Sequence, residues 1–315
     1  EAWRRWALRR GVIDVPGERS SHTTPTPRGA GIGPVVALLV GLPVLIPASP
    51  ERDAIWLSIA GAAAIGLFDD LRPLLPLLKL LGQVLAGLPM AIALPVTLPV
   101  TVDTPLEPIT AVIGVGLALG IGVLLVNAWN FMDGIDGIAT LAAGAVALVA
   151  VATGSTAAVL ALIVLAACLG FLPLNFPRAK AFLGDCGSHA LGMAMAALIL
   201  WSFPMQISFV LVLACSPFMI DVLGTLARRA RDGEPLIRPH RRHLYQLAVR
   251  RGYSHARVAL TYLVWMIASG AGVAALGIGT TEYGVAAVIL LVLNTGLWWV
   301  ATGHFEKHLR KEGRW

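Results

Sequence analysis

The stretch NAWNFMDGIDGIA, residues 127–139, places Asp133 and Asp136 three positions apart in a strongly apolar chain, each followed by a glycine. Three more aspartates stand in similar surroundings: Asp69 and Asp70 in GLFDDLRPL, and Asp185 in LPLNFPRAKAFLGDCGSHALG. Carboxylates near hydrocarbon are costly and mark ion or substrate sites. Gathered together they repel and hold raised pKa values unless a cation is shared among them. An oxygen-only cluster of this kind suits Mg2+ or Mn2+. Mg2+ keeps waters and bridges to phosphate, so a phosphorylated substrate is implied. A single Asp-Gly dipeptide reads as an ordinary turn. Two of them three residues apart, with Asn127 and Asn130 ahead on one helical face, point to a ligand site. Gly134 and Gly137 are expected to let the backbone turn tightly and approach that ligand.

A basic group accompanies the acidic one. Residues 227–257 carry Arg228, Arg229, Arg231, Arg238, Arg241, Arg242, Arg250, Arg251 and Arg257, with His240 and His243. Arginine forks clamp phosphate oxygens. Membrane orientation and lipid headgroup contact account for most of these charges. Arg238, His240 and His243, which lie beside prolines or a turn, are the better site candidates. The His-x-x-His pair with Cys186 would suggest zinc, but no second Cys or His pair has ligand spacing. Cys168 and Cys215 sit in apolar segments and read as core packing, and the three cysteines have no disulfide framework. His255 reads as an interfacial residue.

The elements that must position these side chains are membrane helices. The chain is 57% hydrophobic and only 13% charged, against about 25% charged in an average soluble domain. Its mean hydropathy is +0.77. Apolar runs near 31–47, 54–68, 77–94, 109–126, 138–152, 158–174, 189–203, 208–226, 258–277 and 285–302 predict ten spans. No short alternating strands indicate a barrel. The fold class is therefore all-α, a polytopic helical bundle, with 1–315 forming one membrane-embedded domain. The Pro-rich stretch 88–100 is expected to leave the membrane extended or kinked.

Ten crossings place segments 1–30, 69–76, 127–137, 175–188, 227–257 and 303–315 on one face. Of the 24 Lys and Arg, all but Arg52 fall on that face or at a helix end touching it. Such an excess marks the cytoplasmic side. Every unusual polar cluster lands there too. The net charge of +6 thus reflects membrane orientation, anionic lipid or a phosphorylated ligand, and needs no nucleic acid. The first segment is no signal peptide, since no apolar stretch follows its basic residues before Pro16. Its start leaves room for an earlier span.

Five segments in this order, GVIDVPGERSSHTTPTPRGAG, GLFDDLRPL, NAWNFMDGIDGIA, LPLNFPRAKAFLGDCGSHALG and RPHRRHLYQL, resemble the polyprenyl-phosphate N-acetylhexosamine-1-phosphate transferases. That superfamily also contains phospho-MurNAc-pentapeptide translocase. The resemblance covers most of the chain. It implies an enzyme of the bacterial inner membrane with a cytoplasmic site. A UDP-N-acetylhexosamine would give its sugar-1-phosphate to undecaprenyl phosphate in the bilayer, releasing UMP, with Mg2+ or Mn2+ as cofactor. It admits a homodimer. By resemblance Asp185 is a metal ligand and Asn175 a second polar group near the metal. Asp69 and Asp70 match paired aspartates that touch the lipid phosphate or support the metal. Asn127, Asn130, Asp133 and Asp136 match a stretch that contacts nucleotide and metal. Arg19, Ser20, His22 and Arg28 match a phosphate or sugar contact, against the alternative of a solvated linker.

One departure stands out. Many members carry His-x-His-His in the last cytoplasmic loop; here His243 matches its first histidine, with Tyr245 and Gln246 in place of the others. The loop looks closer to a branch that handles UDP-N-acetylated deoxysugars for O-antigen-type glycans of lipopolysaccharide. Three rivals compete. An ion-coupled transporter would place its polar groups near the midplane in broken helices, often in two related halves. A CDP-alcohol phosphotransferase needs Asp-Gly-x-x-Ala-Arg, and Asp133-Gly134 is followed by Ile135-Asp136. A non-enzymatic assembly protein has no reason to gather five carboxylates on one face.

Overall fold

A computed structural model describes residues 2–15, 24–96, 107–236, 238, 240–275 and 282–313. The candidates Arg19, Ser20 and His22 lie outside the described residues. The chain opens with a short Arg-rich helix α1 (Ala2–Arg10) and a two-stranded antiparallel ribbon, β1 (Ile13–Asp14) with β2 (Thr26–Pro27). Then follow α2 (Ile32–Leu45), α3 (Pro50–Leu71), α4 (Pro76–Ala93), α5 (Glu107–Met132), α6 (Ile138–Ala152), α7 (Ala158–Asn175), α8 (Gly184–Leu200) and α9 (Met205–Arg231). The short α10 (Leu244–Arg250) leads into α11 (His255–Ala274) and α12 (Glu282–Lys311).

Apart from α1 and α10, these helices match the ten expected spans one for one. Seven are long and apolar enough to cross a bilayer, while α2, α6 and α8 are apolar but shorter. The 22 residues of α3 rise roughly 33 Å, about one hydrocarbon thickness. Its start is set locally: Ser49 Oγ accepts the Arg52 N–H, Pro50 occupies the first turn, and Glu51 and Asp53 face the positive end of the helix. α5 and α9 run past the expected ends at 126 and 226, because Asn127–Met132 and Ala227–Arg231 continue the helical hydrogen bonding after the apolar run stops. α4 carries Pro89 inside and continues helical to Ala93, so the first part of the 88–100 stretch is helix.

α8 is the axis of the bundle. Every residue from Cys186 to Ile199 is buried, as a helix that is apolar all round requires. It packs chiefly against α3 and α5. Valines and leucines exposed on α4 and α12 face outward, the surface a bilayer would solvate.

The loops sort to two ends as the charge count requires. At one end Ser155 and Ser202 hydroxyls lie 2.6 Å apart, and Thr156 donates to the Trp201 carbonyl at 2.7 Å. This end carries no acidic cluster among the described residues. The opposite end gathers the ribbon, the α3–α4 turn, the α5–α6 turn, the α7–α8 loop and the basic loop. Cys168 and Cys215 are buried and free, as core packing predicts.

Candidate active site

Asp70, in the last turn of α3, caps α8 from outside. Its carboxylate accepts the backbone N–H groups of Asp185 at 3.1 Å and Cys186 at 3.0 Å, which are among the unpaired donors of a helix start. Arg28, just after β2, donates through Nε to the same carboxylate at 3.0 Å and through its second nitrogen to the Asp69 carbonyl at 3.3 Å. The Asp70 side chain is only 1% exposed. Burial works against the Arg28 charge, yet the Asp70 carboxylate holds its pKa above the ordinary value.

Asp69 faces the other way. Its Oδ1 accepts the Leu74 N–H at 2.7 Å, and its Oδ2 accepts from Lys79 at 3.1 Å. The Lys79 ammonium also bonds Asp185 Oδ2, and lies 3.4 Å from Asn130 Oδ1. Asn130 returns a hydrogen bond to Asp185 Oδ1 at 3.0 Å and another to Ser188 Oγ at 3.2 Å. One point charge from α4 thus sits among three oxygens contributed by α3, α5 and α8. Sequence reasoning passed over Lys79; a lone lysine just inside an otherwise apolar span was the available signal.

Asp133 and Asp136 sit on the turn between α5 and α6, beside a cavity of about 310 Å3. Asp70, Asn130, Asn175, Asp185 and Arg28 also line it. Burial raises the Asp133 carboxyl well above its ordinary range, and Asp185, Asp70 and Asp136 push the same way. The Asp136 carboxylate lies 3.3 Å from His255 Nδ1, and His255 lines the cavity wall. The interfacial reading of His255 is therefore corrected: the first turn of α11 swings it inward. Of the two glycines, Gly137 has φ +75° and starts α6 from a left-handed conformation. Gly134 serves close packing: a β-carbon there would lie 2.1 Å from the Tyr245 hydroxyl oxygen.

A second cavity of about 560 Å3 lies alongside and shares Asn130 and Gln246 with the first. Asp69, Lys79, Asn127, Arg238, His240 and His243 line it. The Lys79–Asp185 contact joins a residue of one lining to a residue of the other. His240 is pushed down to about 4, by burial first and then by His243 and Arg229. Its Nδ1 accepts the Arg242 N–H at 3.3 Å. Asn127 donates to Gln83 Oε1 at 2.6 Å and to the Val123 carbonyl at 2.8 Å.

Asn175 lines the first cavity but is only 2% exposed. Its carboxamide oxygen accepts from Thr140 at 2.9 Å and its nitrogen donates to the Ala181 carbonyl at 3.2 Å. These bonds hold the α7–α8 loop against α6.

Among the described residues, no three His, Cys, Asp or Glu side chains form a ready chelate. The donor chemistry does fit a hard divalent cation. Oxygens of Asp69, Asp185 and Asn130 already surround one ammonium, and the Asp133 carboxyl lines the same cavity as Asp185. Mg2+ needs only one or two protein carboxylates when waters and phosphate complete its shell.

All five aspartates thus gather at one end of the bundle, clear of the midplane where a transporter would place them. The sequence profile described as glycosyl transferase family 4 matches residues 54–203, from α3 through α8. Decaprenyl-phosphate N-acetylglucosaminephosphotransferase of Mycobacterium tuberculosis (strain CDC 1551 / Oshkosh) is 31% identical over 300 residues, covering 82% of this chain and 74% of that protein. The chain belongs to glycosyl transferase family 4. Another member is the probable undecaprenyl-phosphate N-acetylglucosaminyl 1-phosphate transferase of Bacillus subtilis (strain 168), 27% identical over 286 residues, 84% of this chain and 78% of that one. A phospho-N-acetylmuramoyl-pentapeptide-transferase of Moorella thermoacetica is 32% identical over 217 residues, 63% and 64% of the two chains. Within family 4 this chain is a multi-pass membrane protein with the family's sugar-phosphate transfer to a polyprenyl phosphate. The profile match includes Asp69, Asp70, Asn127, Asn130, Asp133, Asp136, Asn175 and Asp185, and ends before the basic loop.

Proposed function

We propose that this protein transfers an N-acetylhexosamine-1-phosphate from a UDP-sugar to undecaprenyl phosphate at the cytoplasmic face of the bacterial inner membrane. An oxygen of the lipid phosphate bonds to the sugar-bearing phosphorus of the donor, the bond to the UMP oxygen breaks, and UMP leaves with that electron pair. The product is a lipid diphospho-sugar that starts cell-envelope polysaccharide synthesis. The observation that carries this reading is the junction of Lys79, Asp69, Asn130 and Asp185 between two adjoining cavities.

The residues divide the work. Asp185 and Asp69, with Asn130, would hold Mg2+ or Mn2+, which supplies charge neutralisation for the diphosphate when bound. Arg28, Lys79 and Arg238 bring positive charge to phosphate oxygens. Asp69, which lines the second cavity and is not consumed by helix capping, is the better placed of the pair to take a proton from the acceptor. Asp133 and Asp136 line the same cavity as Asp185, and His255 orients Asp136. Relatives whose names specify N-acetylglucosamine favour that sugar over a deoxy relative. Departure of Tyr245 and Gln246 from the common histidine signature keeps the sugar open to test.

The deciding experiment supplies purified protein in detergent with undecaprenyl phosphate, Mg2+ and a panel of UDP-sugars. UMP release together with a lipid-linked sugar product is the expected result. No imposed gradient is present, so turnover there is not transport. Absence of UMP release with every donor sinks the reading.

A further inference from the structure

Asp221, on α9, has no exposed surface and lines neither cavity. Its Oδ1 accepts from Leu244 N–H at 2.7 Å, Trp298 Nε1 at 3.0 Å and Thr225 Oγ1 at 3.4 Å. Its Oδ2 accepts from the Tyr262 hydroxyl at 2.7 Å and the Tyr245 N–H at 3.4 Å. The His243 Nδ1 lies 3.8 Å away. Four helices, α9 to α12, thus send donors to one carboxylate. Each of these hydrogen-bonding partners donates, and only an ionised carboxylate is purely an acceptor. An unpaired buried charge would be far too costly to keep.

The partner that matters is α10. At seven residues it is too short to hold its own shape. Asp221 takes its first two N–H groups, and a capping box between His243 and Gln246 satisfies more of that end. From this seat Tyr245 reaches across and donates to the Phe131 carbonyl at 3.0 Å. Its hydroxyl fills the space that Gly134 leaves open. Residues 131–137 carry Asp133 and Asp136. Gln246, one position on, lines both cavities.

We propose that Asp221 is a positioning residue for nucleotide-sugar binding: through α10 and the Tyr245 strut it fixes the acidic turn at 133–137 against Gln246 and His243. The inference rests on the function proposed above for its kinetic arm. Its structural arm stands independently. Asp221→Asn turns an NH2 group toward a ring of donors, so it loses the seat while changing volume little.

The test combines hydrogen–deuterium exchange with steady-state kinetics on purified full-length protein in detergent. In Asp221→Asn, amide exchange should rise over 131–137 as well as 244–250. The KM for the UDP-sugar should rise about tenfold, the scale of one lost charged hydrogen bond. The KM for undecaprenyl phosphate should stay within about twofold, the scatter expected of uncoupled sites. Trp298→Phe removes a donor from the same oxygen without touching α10; it should lower thermal stability and leave both the 131–137 exchange and the KM unchanged. Tyr245→Phe should reproduce the exchange at 131–137, and combining it with Asp221→Asn should add nothing further. If Asp221→Asn fails to insert, Tyr245→Phe decides alone, and normal exchange at 131–137 in that variant overturns the proposal. Additive effects in the double variant overturn it too. A wild type without UMP release defeats the proposed function instead, while the exchange result still judges Asp221.

Discussion

The Asp70 carboxylate receives the Asp185 backbone N–H at 3.1 Å, so one aspartate of the site sets the position of another. With the Cys186 N–H and Arg28 it accepts three hydrogen bonds, and its side chain is buried. Asp69, its neighbour, is 15% exposed in its side chain and faces the Lys79 ammonium. The two should separate on mutation. Asp70→Asn should cost roughly 3 kcal/mol of stability, by weakening a buried charge pair and leaving a helix-start donor poorly met, and should lose activity with it. Asp69→Asn should keep its melting temperature and lower turnover by at least about a hundredfold. Thermal unfolding and UMP release on the two variants check this. Equal stability losses would erase the distinction.

Lys79 leads to a second expectation. Its ammonium occupies the oxygen cradle of Asp69, Asn130 and Asp185, so it competes electrostatically with any cation there. Lys79→Met should raise Mn2+ affinity in substrate-free protein by about tenfold or more. The same variant should lower turnover at least about a hundredfold, since a preorganised charge beside the transferring phosphate is gone. Electron paramagnetic resonance counts free Mn2+, and UMP release reads turnover. Weaker Mn2+ binding in the variant would show that Lys79 supports the cradle instead of competing for it.

How much of this was legible in the sequence follows from range. Each of the ten spans is a local apolar run, and the charge count alone sorted the loops to two ends. Asp69, Asp70, Asp133, Asp136 and Asp185 were legible as well, because a carboxylate in an apolar run is conspicuous by its cost. What stayed hidden depends on helix rotation and packing. Lys79 meets Asp185 across 106 positions, and His255 meets Asp136 across 119. Asp221 looks like one polar residue in a long apolar helix, and its donors arrive only once α10, α11 and α12 are folded. Asn175 was legible as polar, but its two partners, Thr140 and the Ala181 carbonyl, were not.

The crowding at Asp133 carries a pH dependence. Burial, then Asp185, Asp70 and Asp136, raise its pKa in the folded protein. A carboxyl with a raised folded-state value binds its proton more tightly folded than unfolded. Its favourable contribution is complete below the unfolded value of about 4 and is lost as pH rises through the raised value. In EDTA the melting temperature should therefore fall from acid toward neutral pH through this group. Asp133→Asn should flatten that slope, and Mg2+ should offset it in the wild type but less in the variant. Melting curves across pH, with and without Mg2+, make the comparison. A slope identical in wild type and Asp133→Asn would remove Asp133 from the crowded set.

Asn175 separates a ligand from a brace. Its oxygen accepts from Thr140 and its nitrogen donates to the Ala181 carbonyl, so both ends are held in place by neighbouring elements. Asn175→Asp replaces that donor with an oxygen facing a carbonyl oxygen. The cost should be about 1–3 kcal/mol, the penalty of an unsatisfied buried polar group, seen as a lower melting temperature. A metal ligand would respond in the opposite sense, because trading a neutral amide for a carboxylate strengthens binding to a hard cation. Mn2+ affinity in substrate-free Asn175→Asp therefore discriminates. Unchanged affinity with lower stability is the expected pair, and a gain in affinity would place Asn175 in the metal's coordination shell. Thr140→Val should produce a similar loss of stability, since it removes the donor that orients the same carboxamide.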